Sequence, residues 1–345
     1  MPFWHPLVVL VLAATGSWAL DRWLLDWLKQ QQIRSSIRKD GPATHQAKAK
    51  TPALGGIAFP PAFLLATVVG IVLSKQAGLV DLASPRTHLA IALLLFITTI
   101  AFLTGFADDY LKVIKKSSEG LQARYRFPIQ LLLGILLGWA MTLPGWGEYG
   151  QRVPWFGVDP VLLPSVLLIV WTTLFFAGTV NAVNFTDGLD TLLAGTGFTA
   201  LLVLAGLSYG WFGTWVTPEP WLGHAALAGA GTLLGFYPHN RHPATLFMGD
   251  GGAYFLGALM ATIAVLQGTP FLFLWIGLVF YIEVGSVILQ VASFRLSKGK
   301  RRLFPMAPIH HAFEVKGWPE ERVVSLFWFV GLAAAVLGIW LGRQT

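Results

Sequence analysis

Long apolar runs separated by short polar clusters dominate the chain. At about 20 apolar residues per bilayer crossing, the pattern predicts spans near residues 3–25, 53–74, 88–107, 128–143, 161–183, 191–210, 221–237, 253–267, 270–292 and 323–342. Ten such spans describe an all-α integral membrane protein, with residues 1–345 forming one polytopic domain. The fourth, seventh and eighth are short and interrupted by Gly or Pro. The first run, Phe3 to Leu20, has no basic leader before it and no small-residue cleavage site after it, so it is expected to be retained as a span.

Composition changes this picture little and charge changes it more. The chain is 55% hydrophobic and 12% charged, with a mean hydropathy of +0.63; a soluble domain carries about 25% charged residues. No cysteine is present, which excludes disulfides, thiolate nucleophiles and Cys-ligated zinc. Of the 24 Lys and Arg residues, all but Lys75, Arg86, Arg152 and Arg343 fall on one side of the predicted topology. That side is expected to be cytoplasmic and both termini to lie outside. The net charge of +7 is chiefly this asymmetry and no sign of nucleic-acid binding. Trp4, Trp23, Trp27, Trp155, Trp221 and Trp340 near span ends suit an aromatic belt.

Aspartates gather on the same side. Asp108 and Asp109 end the third span, Asp187 and Asp190 lie in NAVNFTDGLD after the fifth, and Asp250 precedes the eighth. Asp187 and Asp190, three residues apart, would share one face of a helical turn. Carboxylates brought together from three loops repel one another unless a divalent cation or basic groups compensate, and hard oxygen donors point to Mg²⁺.

Each cluster has a plain reading and a chemical one. Asp108 and Asp109 are followed by Lys112, Lys115, Lys116, Arg124 and Arg126. This is either a solvated loop obeying the positive-inside rule or an acid pair beside phosphate-binding cations. FMGDGGAYFLG, beginning at Phe247, reads as an N-capping Asp250 with packing glycines, or as a helix start that a phosphate can approach closely. Lys48, Lys50 and Thr51 open the second span as snorkelling lysines or as a further phosphate contact. His310 and His311 sit in a proline-framed loop; their spacing disfavours a helical zinc site but allows imidazoles held over a substrate. Glu283 lies inside the ninth span, where an ionisable group is costly and is a functional suspect or a buried structural partner.

Taken together, Asp108-Asp109, NAVNFTDGLD, FMGD and above all PMAPIHHAFEVKGWPEERV (Pro305 to Val323) resemble the polyprenyl-phosphate N-acetylhexosamine-1-phosphate transferase superfamily. The resemblance runs from about Lys48 to Trp328 and is strongest to its phospho-MurNAc-pentapeptide transferases. It implies a bacterial inner-membrane enzyme with a cytoplasmic active site. Such an enzyme transfers phospho-MurNAc-pentapeptide from UDP-MurNAc-pentapeptide to undecaprenyl phosphate with Mg²⁺, and a homodimer is expected. It casts Asp250 as the first Mg²⁺ ligand, with Asp109 and Asp187 or Asp190 completing or tuning the site, and Asp108 as the base for the lipid phosphate; an aspartyl nucleophile is an alternative. Asn181, Asn184, Asp190 and Lys112 would contact the uridine and diphosphate end, with Lys48, Thr51, Lys116, Arg124, Asp187 and Phe247 also lining the substrate site. His310 and His311 would sit over the donor's phosphates or sugar, and apolar surface near Glu283 would form the polyprenyl groove.

Two positions depart from the superfamily's pattern: Ala312 stands where a third consecutive histidine is usual, and Thr191 where glycine is usual. The second is expected to be a packing change. The KGWPE continuation weighs against a GlcNAc-1-phosphate transferase, the nearest alternative. Acids at span ends, with no internal repeat, weigh against an ion-coupled transporter.

Overall fold

The computed structural model describes residues 4–33, 51–115, 117, 120–144, 146, 152–155, 158–213 and 219–343. Lys48, Lys50 and Lys116 lie outside the described residues. The chain forms a helical bundle: α1 (Trp4–Gln30), α2 (Phe59–Gln76) after a short 3₁₀ turn, α3 (Pro85–Asp109), α4 (Ala123–Ala140), α5 (Ser165–Thr186), α6 (Leu192–Ser208), α7 (Pro220–Asn240) and α8 (Gly249–Leu266). It continues through α9 (Pro270–Ile276), α10 (Leu278–Leu296), α11 (Ile309–Val315) and α12 (Glu320–Arg343).

A helix covers each of the ten predicted spans, and among the described residues seven helical segments are long and apolar enough to cross a membrane. Two features differ from expectation. The ninth span is broken at Gly277 into α9 and α10, so Glu283 enters the bundle on a separate segment. The all-α expectation also omitted an antiparallel hairpin, β1 (Arg152–Trp155) with β2 (Val158–Leu162), in which Arg152 pairs with Leu162. A two-stranded ribbon of this length carries too short an apolar pattern to stand out between two spans.

α8 is the axis of the bundle. Gly251 to Leu266 are all buried, as a helix apolar on every side must be when other helices surround it. α3, α5, α6 and α7 pack around it. Without a hydrophobic drive between helices in lipid, close approach of small residues supplies the packing. Gly231 and Gly235 of α7 abut the backbone of α1 at Leu10 and Ala14, and Ser17 Oγ donates to Thr232 O across the same seam at 3.0 Å. Trp4, Trp23, Trp27 and Trp340 are exposed as a belt requires, whereas Trp221 is buried in the core.

One end of the bundle collects the C-termini of α3 and α5 and the N-termini of α4 and α8, and therefore the aspartates. At the opposite end Arg343 Nε donates to Phe212 O at 2.5 Å, and Arg86 approaches Glu219 at 3.6 Å.

The junction that sets the polar end is Gly105, where a Cβ would strike the backbone of Asp250 and Gly251. Gly105→Val is therefore expected to destabilise by about 1–3 kcal/mol or more, read as a lower midpoint of thermal unfolding in detergent.

Candidate active site

α3 runs into a single π-helical turn, Tyr110–Ile114, a distortion found often at functional sites. This turn carries Lys112 back over Asp108. Asp108 is fully buried: its Oδ2 accepts from Lys112 Nζ and from Arg126 Nη1 at 3.2 Å, and its Oδ1 accepts from the Leu121 backbone at 2.5 Å. Asp250 shares both cations, at 2.8 Å from Lys112 and 3.5 Å from Arg126. Its other oxygen accepts from Asn184 Nδ2 at 2.9 Å. Segments far apart in the chain thus meet at one carboxylate.

Asp109 does different work. Its two oxygens accept the backbone N–H groups of Asp250 at 3.0 Å and Gly251 at 2.8 Å. That caps α8 and satisfies donors a helix start otherwise leaves unpaired. These contacts fix the backbone that carries Asp250.

The loop after α5 divides two polar spaces. Asp187 faces the cluster: burial and the nearby negative charges of Asp250, Asp109 and Asp190 raise its carboxyl well above the ordinary range. Asp190 does not share that face. Because α5 ends before Asp187, the loop sends Asp190 the other way, where Oδ2 lies 3.0 Å from His242 Nδ1 and accepts the Ala244 N–H at 3.0 Å. Glu320 accepts the Asp190 N–H at 2.7 Å. Asp190, His242 and Glu320 border a cavity of about 410 Å³, also lined by Thr51, Glu314 and Trp318, and their ligand atoms lie within 4.8 Å of one another.

Gly188, in the loop between Asp187 and Asp190, is covered by the imidazole of His310. His310 Nδ1 is 3.0 Å from Glu283 Oε2, which joins α11 to α10. His311 Nδ1 is 2.7 Å from Glu314 on the cavity side. Ala312 is buried at 5% exposure on α11, so a third imidazole there would need buried space. Phe247 is fixed from both sides, donating to Pro52 O and accepting from Gly55 N, each at 2.9 Å.

Two further residues named from the sequence have other partners in the structure. Asn181 donates to Gln130 Oε1 at 2.6 Å and to Ala177 O at 2.8 Å, which ties α5 to α4 one turn away from the cluster. Arg124 is exposed and lies over the Tyr125 ring at 4.9 Å; it is Arg126 that reaches Asp108. Two residues apart on α4, their side chains point about 200° apart, so only one of them could reach Asp108. His242 and Glu320 were missed as well. The signal for Glu320 was an acid in the first turn of α12, a favoured site on any helix and hence unspecific.

Residues 91–268 match the family described as glycosyl transferase family 4. A phospho-N-acetylmuramoyl-pentapeptide-transferase of Staphylococcus haemolyticus is 36% identical over 338 residues, covering 97% of this chain and 98% of the relative. Proteins of that description from Staphylococcus aureus, at 37% with the same coverage, and from Staphylococcus epidermidis, at 36% with 92% and 94%, match too. The chain belongs to the phospho-N-acetylmuramoyl-pentapeptide-transferase family. With its apolar helices, family membership makes it a bacterial membrane protein.

At position 191, noted above as a departure from the pattern the chain resembles, the backbone is unusual. Thr191 has φ +65°, a left-handed conformation that costs an L-residue about 1–2 kcal/mol. It is held there by Asn240, which accepts its N–H at 2.8 Å, and by Trp328 Nε1, which donates to its carbonyl at 3.1 Å. The departure is a backbone strain and not the expected packing change.

Two outcomes follow. Thr191→Gly relieves that strain, offset by about 0.5–1 kcal/mol of lost chain entropy, so a net gain of up to about 1 kcal/mol should raise the thermal midpoint. Arg126→Ala removes a charge-assisted contact worth about 2 kcal/mol, or about thirtyfold in turnover, whereas Arg124→Ala should leave the rate of nucleotide release near that of the parent.

Proposed function

We propose that the protein transfers phospho-MurNAc-pentapeptide from UDP-MurNAc-pentapeptide to undecaprenyl phosphate, releasing UMP, with the aspartate end of the bundle facing the cytoplasm of a bacterial inner membrane. The observation that carries this reading is Asp250, on which α3, α4, α5 and α8 converge through Lys112, Arg126 and Asn184. Phosphoryl transfer asks for alignment and charge neutralisation more than for covalent chemistry by the protein, and this arrangement offers both.

The donor set fits a divalent cation. Asp108 and Asp250 share two cations, Lys112 and Arg126, while Asp109 and Asp187 add negative charge beside Asp250, so two negative charges remain uncompensated when all four are ionised. Burial first, and then these neighbouring charges, raise the Asp187 carboxyl. Asp250 and Asp187 would hold Mg²⁺ through hard oxygens, with Asp109 fixing Asp250 from behind. Mg²⁺ would supply neutralisation of the diphosphate and of the departing UMP.

The remaining work falls to side chains. Lys112 and Arg126 already bridge two carboxylates, and an entering phosphate would draw on the same donors, Arg126 through its guanidinium fork. Asp108, beside Lys112 and Arg126, would accept a proton from the lipid phosphate. The cavity bounded by Thr51, Asp190 and Trp318 has room for the nucleoside end. The donor's diphosphate would then stretch across the loop that joins this cavity to the cluster. Lys48, at the start of this segment, and Lys116 remain assigned to phosphate binding by sequence.

The test is release of UMP by purified protein in detergent with Mg²⁺ and undecaprenyl phosphate. UMP should appear from UDP-MurNAc-pentapeptide and scarcely from UDP-GlcNAc. Asp250→Asn should reduce it by about a hundredfold or more while the thermal midpoint holds. Equal rates from both donors would refute the assignment of the donor, and normal turnover of Asp250→Asn would refute the site.

A further inference from the structure

Glu283 is the one acidic residue in α10, and an ionisable group buried among apolar helices is costly unless a partner compensates. Its partner is His310, with Nδ1 3.0 Å from Glu283 Oε2 and neither residue showing any exposed surface. A carboxylate can only accept, so Nδ1 carries the proton and Nε2 is left as the free edge of the ring. Among the described residues that edge has no hydrogen-bond partner, nor does Glu283 Oε1. Nε2 is directed at Gly188, where a Cβ would run into the imidazole.

Buried polar atoms are almost always paired. A fully buried nitrogen without a partner, aimed at the loop between Asp187 and Asp190, marks a place for a hydrogen-bonding group that arrives from outside. Gly188 is the residue type that leaves it room.

We propose that Glu283 is a positioning residue: by accepting Nδ1–H of His310 it orients the ring so that Nε2 is presented over Gly188 to the phosphate-bearing donor substrate. This rests on the transferase reading above. Glu283 itself touches no substrate and acts through the histidine, as outer carboxylates do for functional imidazoles, where their loss costs about 10–100-fold. His311 differs in being held by Glu314, its neighbour on the same short helix, so the two histidines are oriented independently.

The experiment is a double-mutant cycle on UMP release. His310→Ala and Glu283→Leu should each lower kcat by about 10–100-fold with little change in KM. The double variant should be no slower than His310→Ala alone, because both remove one function. Glu283→Gln keeps an acceptor for Nδ1–H and should recover most of the rate. Losses that multiply, accompanied by a lower thermal midpoint, would mean that Glu283 serves packing alone and would overturn the proposal. Nitrogen-15 spectra of histidine-labelled protein give a reading independent of turnover. Wild-type His310 should be protonated at Nδ1, and a ring with bare Nδ1 overturns the proposal even where Glu283→Leu fails to fold. A full-rate His310→Ala would instead sink the histidine's part in the transferase reading. A slow His310→Ala beside a full-rate Glu283→Leu would remove the positioning role alone.

Discussion

Four carboxyls crowd the polar end of the bundle, and Lys112 and Arg126 are the cations that the described residues bring against them. Bringing like charges together in a half-buried space is unfavourable unless each is met by a donor, and the surrounding structure is arranged accordingly. The π turn after α3 delivers Lys112, the first turn of α4 delivers Arg126, and Asn184 reaches across from α5. The capping carboxyl of Asp109 fixes the start of α8. These contacts need backbones that approach within side-chain reach, which is why Gly105 sits where α3 crosses α8. Helix packing and site chemistry are here one constraint seen from two sides.

Much of the helical layout was legible in sequence because membranes impose a coarse grammar, in which apolar length marks out long helices. Helices lie over every predicted span, and Asp108, Lys112, Asn184 and Asp250 come together as their motifs implied. What escaped was whatever depends on the rotation of an element or on where it ends. Asp187 and Asp190 part because α5 stops one residue before the first of them. Arg126 and not Arg124 faces inward because of the phase of α4. Asn181 lies one turn from Asn184 and spends its amide on Gln130. Such facts are set by tertiary packing, to which spacing along the chain is blind. The break at Gly277 was likewise invisible, since both sides of it are equally apolar.

The residue at position 191 shows how a departure from a family pattern can be misread. A β-branched side chain in a left-handed turn is uncommon, and the structure over-determines it by pinning both its N–H and its carbonyl. The strain is stored at the hinge between the Asp190 side of the loop and α6, so the loop's shape depends on Asn240 and Trp328, side chains from two other helices.

A last consequence concerns the loop around Gly188. The aspartate cluster and the cavity lined by Thr51, Asp190 and Trp318 are joined by the short loop that carries Asp187, Gly188 and Asp190. A molecule anchored in one of them holds its tethered remainder next to the other at high effective concentration, so the second contact costs little additional freedom of motion. Compounds that join a flat ring to a charged head by a short linker should thus gain far more than either fragment offers by itself.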